Sequence, residues 1–398
     1  MAPPSTRADP YLAGVSSDAN SSHKDADFSS EPQQTTEMEA HPTSSEWHQP
    51  GPNAYDFHSD TITTPTLSML QAITKCTLTD DIYRGDPTTA ALENHLATLS
   101  GHEAGLLVMS GTMGNQVSIR SHLTFPPHTV LCDARSHIAN YEAGGISTLS
   151  GAQLITVWPA NNHHLTLHDI TKHVVTSDDV HAAPTRVISL ENTLNGMIMP
   201  LSEVRRIHEF AREHDIALHL DGARIWEAVA ANAGSLTEYC SLFDSVSLCF
   251  SKGLGAPIGS MLVGSSAFIK QAKRIRKMMG GSTRQSGIIA AAARVAVDEG
   301  FGAGPSGEGG KLRDCHAKAR RIGKAWEGMG GKLTWPVETN MVWLDLESAN
   351  VSNADFAAIA KREGINAKSG RIVIHYQVAE EALMALERTM ERVLVDGD

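Results

Sequence analysis

A chain of 398 residues with 41% hydrophobic and 20% charged residues has the composition of a globular protein with a large core. Its formal net charge of −12 argues against nucleic-acid binding, which needs a basic surface that releases counterions. No apolar run has membrane-spanning length, and no segment predicts secretion or organelle import. The five cysteines lack Cys-x-x-Cys spacing and suit reduced thiols, so we expect a cytoplasmic protein without a metal site.

Three regions follow one another along the chain. Residues 1–55 are rich in Ser, Thr, Pro, Asp and Glu without apolar periodicity, which predicts a disordered tail. From residue 56 onward, helical segments alternate with strand-like apolar runs, which is typical of a mostly parallel sheet with helices on both faces. The glycine-rich stretch 301–310 predicts a hinge or a loop. We therefore expect an α/β fold with a large domain over residues 56–305 and a smaller α+β domain over 306–398.

Polar segments follow the first two predicted strands of the sheet, and ligands bind at such strand ends. After the run 105–109, the chain turns at Gly111 and Thr112 into a helix, whose free amides and threonine hydroxyl are suited to cradle a phosphate. An ordinary strand-to-helix turn is the alternative. After the run 129–133 comes His137, which is suited to stack on a ring or to relay protons, or else is a structural histidine.

Two charged residues end later predicted strands. Lys252 follows the apolar run 245–250 and precedes glycines that let a flat cofactor approach the backbone. Asp221 ends the run 216–220. A lysine that forms an imine and a buried carboxylate that keeps a pyridinium nitrogen protonated are what pyridoxal phosphate needs. Taken alone, Lys252 also fits a solvated loop residue, and Asp221 fits a helix cap.

From about residue 56 to its C-terminus, the chain resembles the L-threonine aldolases, pyridoxal-phosphate enzymes with the type I aminotransferase fold. Several motifs occur in the order that this family has, which makes chance agreement implausible. They are Asp56-Phe57-His58-Ser59-Asp60-Thr61, the loop from Ser110 to Asn115, Ser136-His137, Glu191-Asn192-Thr193, His219-Leu220-Asp221-Gly222-Ala223-Arg224, Ser251-Lys252-Gly253-Leu254-Gly255-Ala256-Pro257 and Arg284-Gln285.

The resemblance implies a role for each matched residue in holding the coenzyme, pyridoxal 5'-phosphate. Lys252 forms the imine, and Asp221 pairs with the pyridine nitrogen. His137 lies over the ring and acts with these two residues in catalysis. Gly111 and Thr112 hold the phosphate.

Further matched residues are implied to bind the substrate or a neighbouring subunit. Ser59, Arg224 and Arg371 match positions that grip the substrate carboxylate, for which a guanidinium fork is well suited. Arg224 is also expected to contribute to the cofactor site. Arg284 matches a position that reaches the phosphate of a neighbouring subunit, which implies a homodimer or homotetramer with shared active sites.

The activity implied is cleavage of L-threonine, L-allo-threonine or a related β-hydroxy-α-amino acid to glycine and an aldehyde. His137 or a bound water is the candidate base for the hydroxyl proton. Two residues depart from the family pattern: Leu194 stands where many relatives have a histidine that contacts the β-hydroxyl, and His58 stands where arginine is usual. Alanine racemisation in a peptide natural-product pathway is therefore the alternative activity. A non-catalytic scaffold of the same fold is a minor alternative.

Overall fold

The computed structural model describes residues 51–395 apart from residues 52 and 84, so residues 1–50 of the predicted tail lie outside the described part. The described chain forms eleven strands: β1 Ala104–Val108, β2 Thr129–Asp133, β3 Gln153–Val157, β4 Thr185–Glu191, β5 Ala217–Gly222, β6 Ser245–Cys249, β7 Ser260–Gly264, β8 Gly302–Ala303, β9 Glu308–Gly309, β10 Met341–Trp343 and β11 Arg371–Val373.

The same part of the chain forms fourteen α-helices and one π-helical turn at Val297–Phe301. The α-helices are α1 Leu67–Ile73, α2 Pro87–Ser100, α3 Gly111–His122, α4 His137–Asn140, α5 Gly145–Ser150, α6 Leu167–Thr171, α7 Leu201–Glu213, α8 Ile225–Ala230, α9 Leu236–Cys240, α10 Ser266–Met278, α11 Gly287–Ala296, α12 Leu312–Gly328, α13 Asn353–Arg362 and α14 Glu380–Val395. In this part of the chain, no helix is both long and apolar enough to cross a membrane.

The main sheet has seven strands in the order β1-β7-β6-β5-β4-β2-β3. Strands β2 to β6 pair in parallel, whereas β7 is antiparallel to both of its neighbours, β1 and β6. The predicted α/β fold with a mostly parallel sheet is confirmed. The strand β7 was not among the predicted ones.

Alternating side chains of the strands enter cores on opposite faces of the sheet. In β1, Leu106 and Val108 pack against α3 and α10, whereas Leu107 joins the main core with residues of α2, α7 and α11. In β7, Leu262 lies in the core with α3 and α10, whereas Met261 lies in the main core. Because successive side chains of a strand point to opposite faces, an apolar run such as β1 needs helices on both sides.

The C-terminal helices enclose a second hydrophobic cluster on the antiparallel pair β10–β11. Phe57, far away in the sequence, is fully buried in the same cluster. The predicted domain boundary at residue 305 stays a prediction. Other members of the cluster are Trp326 of α12, Val342 of β10, Phe356 of α13, Ile372 of β11 and Leu386 of α14.

Removal of residues 1–50 is expected to leave the melting temperature unchanged, whereas removal of residues 1–55 lowers it by several degrees. The segment 1–50 has too little apolar sequence to pack. By contrast, Ala54 is fully buried and accepts a hydrogen bond from Ala379 N at 3.0 Å, and the Tyr55 carbonyl accepts one from Asn366 N at 2.9 Å. Each lost bond costs about 0.5–1.5 kcal/mol. Calorimetry of the two truncated proteins makes the comparison, and equal melting temperatures would contradict it.

Candidate active site

The predicted site residues come from the carboxyl ends of neighbouring strands. Glu191 ends β4 and lies directly opposite Asp221 of β5 in the parallel ladder. Lys252 follows β6, which pairs with β5. Because these three strands are parallel, their carboxyl ends lie on one edge of the sheet, where ligands bind in such folds. The structure therefore places Asp221 and Lys252 at the same edge.

Glycines determine the path of the loop that carries Lys252. A side chain on Gly253 would overlap the Glu227 carboxylate, and one on Gly255 would overlap the Tyr376 hydroxyl. Gly255 also has a φ of +82°, a left-handed conformation that side chains rarely adopt. The close approach of backbone and neighbours therefore explains why glycines follow Lys252.

Asp221 is held in one orientation by two hydrogen-bond donors. Its carboxylate accepts from Asn115 Nδ2 at 2.7 Å and from Ala223 N at 3.0 Å. The side chain is buried. Asp221 is not the cap of the following helix, because α8 begins at Ile225 and its N-cap residue is Arg224.

Asn115 connects Asp221 to the residues around His137. Asn115 Nδ2 also donates to Glu142 Oε1 at 2.9 Å, and His137 Nδ1 donates to the same oxygen at 2.8 Å. This hydrogen bond from His137 to Glu142 is the main reason why the pKa of His137 is raised. Sequence reasoning missed both Asn115 and Glu142.

The ligand atoms of His137, Glu142 and Asp221 all lie within 4.8 Å of one another. Such a cluster has the composition of a metal site. However, the Glu142 oxygen that faces His137 already accepts hydrogen bonds from His137 and Asn115. The three side chains therefore form a hydrogen-bonded network, and the absence of a metal stays a prediction.

Glu191 contributes a further carboxyl group to this edge of the sheet. Burial and the nearby charge of Asp221 raise the pKa of Glu191 to about 8. Its Oε2 accepts a hydrogen bond from His137 N at 2.8 Å. Because burial and the neighbouring Asp221 both disfavour the charged form, the raised pKa reduces the negative charge that Glu191 adds beside Asp221.

The start of α3 offers the predicted phosphate cradle. Ser110 caps the helix by accepting from Met113 N at 3.1 Å, and Gly111 and Thr112 are the first two helical residues. Next to Gly111 lies Ser260, whose buried hydroxyl has no hydrogen-bond partner among the described residues. The first amides of a helix lack partners within the helix, and they attract anions. An unpaired hydroxyl beside such amides fits a phosphate group.

Arg224 is fixed by an ion pair with Asp60. Its Nε and Nη2 donate to the two carboxylate oxygens at 2.7 and 2.6 Å. Burial alone would raise the pKa of Asp60, but the charge and hydrogen bonds of Arg224 outweigh it and hold the pKa at about 2. Because this pKa is lowered from 3.8, the pair stabilises the fold fully above that pH and is lost only as the pH falls toward 2.

Arg371 supplies a second guanidinium group near Arg224. It donates to the His58 carbonyl at 2.9 Å, and its guanidinium lies 5.8 Å from the centre of the Trp343 ring. Burial is the main cause that lowers the pKa of Arg371, and the positive charge of Arg224 lowers it further. Asp60 is hydrogen-bonded to Arg224, whereas the guanidinium of Arg371 has no hydrogen-bonded carboxylate among the described residues. Such a site suits a substrate carboxylate.

Ser59, the other residue predicted to bind the carboxylate, directly precedes Asp60 in the chain. Its hydroxyl lies 2.8 Å from the Thr61 hydroxyl. Arg284 lies elsewhere on the surface, where it donates to Asp80 at 3.0 Å and its guanidinium is 5.3 Å from the Tyr83 ring centre. Among the predicted site residues, hydrogen bonds through Glu142 and Asn115 connect His137 with Asp221, and the charges of Arg224, Lys252 and Arg371 all act on Asp60. The roles of the predicted residues, including that of Arg284 on a neighbouring subunit, stay predictions.

Three features lie at one edge of the sheet: a lysine after one strand, a buried aspartate on the neighbouring strand, and a helix start with free amides. Together they define an α/β enzyme that holds a phosphorylated coenzyme on a lysine. The family model of the beta-eliminating lyases matches residues 56–349. The chain belongs to this family. The predicted enzyme class, a lyase, and the predicted coenzyme, pyridoxal phosphate, are confirmed by this membership.

Curated relatives match most of the chain. Aldolase vrtJ of Penicillium aethiopicum is 53% identical over 88% of this chain and 89% of its own length. Alanine racemase TOXG of Cochliobolus carbonum is 46% identical over 85% of this chain and 87% of its own. The low specificity L-threonine aldolase of Saccharomyces cerevisiae is 41% identical over 83% of this chain and 84% of its own length. The predicted resemblance to threonine aldolases is confirmed.

Solved structures share the fold. A putative L-allo-threonine aldolase from Listeria monocytogenes has a TM-score of 0.65 at 23% identity and covers 82% of this chain and 93% of its own. A threonine aldolase from Leishmania major has a TM-score of 0.67 at 17% identity, and the match covers 86% of this chain and 100% of the Leishmania chain. At these identities the likeness concerns the fold alone.

Proposed function

We propose that this protein is a pyridoxal-phosphate-dependent aldolase that cleaves L-threonine, L-allo-threonine or a related β-hydroxy-α-amino acid to glycine and an aldehyde. The observation that carries this proposal is the pair of guanidinium groups of Arg224 and Arg371, whose charges act together with that of Lys252 on the Asp60 carboxylate. Such a pair supports a carboxylate-binding site near Lys252. Fungal relatives named low-specificity L-threonine aldolases support the same activity.

Each part of the coenzyme has a matching group in the chain. Lys252 would hold the aldehyde carbon, and Asp221 would face the pyridine nitrogen. The start of α3 with Thr112 and Ser260 would hold the phosphate, and His137 would lie over the ring. When bound, the coenzyme supplies an electron sink for breaking a bond at the substrate Cα.

The substrate carboxylate would bind to Arg224 and Arg371, with Ser59 beside them. Because Asp60 fixes Arg224 through two hydrogen bonds, the clamp is rigid before the substrate arrives. A fixed carboxylate limits the rotation of the other Cα substituents. Their orientation then decides whether the bond to Cβ or the bond to hydrogen breaks, so the clamp selects the reaction.

His137 is the candidate base that removes the β-hydroxyl proton. Its Nδ1 is bonded to Glu142, while its Nε2 has no partner within the described residues. We predict that kcat rises with pH through a value above the ordinary histidine pKa of 6.5, because Glu142 raises the pKa of His137. The variant Glu142→Gln should move this rise to lower pH, since it removes the negative charge that stabilises the protonated ring.

Profiles of kcat against pH for the wild type and Glu142→Gln make this comparison. The exposed Glu209 on α7 offers a matched control, Glu209→Gln, which should leave the profile unchanged. A profile of Glu142→Gln that coincides with the wild type would exclude His137 as the base.

Alanine racemisation is the second candidate function. It is favoured by the 46% identity to alanine racemase TOXG and by Leu194, a buried apolar residue at the position where a histidine was expected. Incubation of the purified protein with L-threonine, L-allo-threonine and L-alanine separates the two functions. Aldolase activity gives glycine and acetaldehyde, whereas racemase activity gives D-alanine on a chiral column. Formation of D-alanine without glycine would replace the first proposal with the second.

We also propose a homodimer or homotetramer with shared active sites. Arg284, which is expected to reach a neighbouring subunit, has a side chain that is more than half exposed. The Tyr83 ring, whose centre lies 5.3 Å from the Arg284 guanidinium, and Leu78, close to Tyr83 in the sequence, are also exposed. Light scattering of the native protein measures the assembly. The cytoplasmic location remains a proposal, supported by five cysteines that are all free thiols.

A further inference from the structure

We propose that His219 is a positioning residue that fixes the Asn115 amide, and through it the two carboxylates Asp221 and Glu142. This inference rests on the proposed function, because Asp221 and the pair of Glu142 with His137 act on the coenzyme. His219 itself touches neither the coenzyme nor the substrate in this assignment.

His219 lies at the centre of a buried polar chain. It is fully buried on β5, two residues before Asp221, so both side chains lie on the same face of the strand. Its Nε2 lies 3.1 Å from Asn115 Oδ1, and its Nδ1 lies 2.9 Å from the hydroxyls of Ser118 and Ser245. Both ring nitrogens therefore have partners.

The hydrogen-bond roles along this chain follow from the carboxylates. The side chains of Asp221 and Glu142 accept hydrogen bonds, so the Asn115 atom between them is the amide nitrogen, which has two hydrogens to donate. The amide oxygen then faces His219, whose Nε2 must carry a hydrogen. The Nδ1 of the neutral ring is consequently unprotonated and accepts from the hydroxyl of Ser118 or Ser245. The Ser245 carbonyl, which lies 3.2 Å from the same nitrogen, then receives no hydrogen from the ring.

His219 stays neutral in this arrangement. Burial lowers its pKa to about 3; the nearby Asp221 opposes this change, and His122 adds to it. A neutral ring with a defined hydrogen on Nε2 can hold the amide oxygen over the whole working pH range. Without that hydrogen, a buried carbonyl oxygen would lack a partner, and the amide would no longer be held from behind.

The consequence concerns two parts of the site at once. One Asn115 nitrogen bonds both Asp221 and Glu142, and Glu142 in turn orients His137. Loss of the His219 donor should therefore loosen both Asp221, the partner of the pyridine nitrogen, and His137, the group over the coenzyme ring. Neither Arg224 nor Arg371 is hydrogen-bonded to His219 or Asn115 in the described structure. Loss of the His219 donor should therefore leave the binding of the substrate carboxylate unaffected.

The test compares three variants of the full-length protein. His219→Phe fills the space but cannot donate, whereas His219→Gln keeps an amide that can donate to Asn115 Oδ1. His122→Phe is the matched control, because His122 is partly buried and bonds the Ser245 hydroxyl at 2.8 Å, one step further from Asn115. For each variant, the Kd for pyridoxal phosphate, the visible absorption spectrum, kcat, KM and the melting temperature are measured.

We expect His219→Phe to raise the coenzyme Kd and lower kcat by roughly tenfold or more each, with a shifted visible spectrum and an unchanged KM. His219→Gln should recover most of both losses, and His122→Phe should keep the wild-type Kd and spectrum even where its melting temperature falls. A wild-type Kd and spectrum for His219→Phe would overturn the proposal. Equal changes in His122→Phe, or no rescue by glutamine, would also overturn it.

If His219→Phe does not fold, His219→Asn replaces it, since its shorter amide cannot reach Asn115. In the background of Asn115→Ala, removal of His219 should cause no further rise in the coenzyme Kd, because both residues act through the same contact. Additive effects of the two changes would contradict the proposal. The coenzyme measurements need no substrate, so they remain valid if the product analysis shows that the protein is not an aldolase.

Discussion

Replacing Lys252 with alanine is expected to abolish turnover, with a loss on the order of 10⁴-fold or more, and to remove the visible absorption of the covalently bound coenzyme. The residue lies at the carboxyl edge of the sheet beside Asp221, in the loop whose glycines allow close approach of a flat ligand. Absorption spectra of the loaded protein and rates of product formation make the measurement.

Two controls separate the bond-forming role of Lys252 from its charge and from surface effects. Lys252→Arg keeps a positive charge near Asp60 and Glu191, but a guanidinium is a poor nucleophile, so this variant should be as inactive as alanine. Lys270→Ala, on the exposed face of α10, should behave like the wild type. Full activity in Lys252→Arg would show that the charge alone matters and would reject the assignment.

Replacing Asp221 with asparagine should lower kcat by roughly 10²–10³-fold while the protein still binds its coenzyme. The variant keeps the shape of the side chain but lacks the negative charge that would keep a pyridine nitrogen protonated. It also has one acceptor oxygen where the carboxylate has two, so one of the two present donors, Asn115 Nδ2 at 2.7 Å or Ala223 N at 3.0 Å, would face an amide nitrogen. Lys252 and the start of α3 are unchanged, so coenzyme binding persists. Coenzyme titration and steady-state kinetics report the two effects.

Asp133 provides the matched control for Asp221. It is also a buried aspartate at the end of a parallel strand, β2, but it is paired with Arg135 at 2.8 Å. Asp133→Asn should therefore lower stability with little effect on kcat. If Asp221→Asn kept a kcat near that of the wild type, Asp221 would serve only to hold the turn at Ala223.

The edge of the sheet that carries the site could be predicted from the sequence. One apolar run ends at Asp221 and another ends just before Lys252, and both runs were predicted to be strands. Parallel strands bring their carboxyl ends together at one edge of the sheet. The observed strands β5 and β6 and the start of α3 at Gly111 confirm the predicted elements, and the roles of the residues that follow them stay predictions. Periodicity and glycine placement are local properties, because they depend on the alternation of side chains and on the backbone conformations open to each residue.

The side-chain partners within the site could not be predicted in this way. Asp60 is 164 residues from Arg224, and Asn115 is 106 residues from Asp221, yet each pair is bonded at 2.7 Å. Isolated polar residues such as Asn115 and Glu142 have no sequence pattern that distinguishes them from solvated ones. The motif from His219 to Arg224 held one signal that was missed: His219 and Asp221 alternate along a strand and so share a face.

The sequence by itself determined the fold class, the family and the positions of Lys252, Asp221 and the start of α3, because these follow from short-range patterns and ordered motifs. The tertiary structure alone decided that Asp60 fixes Arg224, that one Asn115 nitrogen serves two carboxylates and that Phe57 completes the C-terminal core. Such contacts arise when packing brings together residues distant in the chain. Their geometry depends on how sheet and helices pack, which no local pattern encodes.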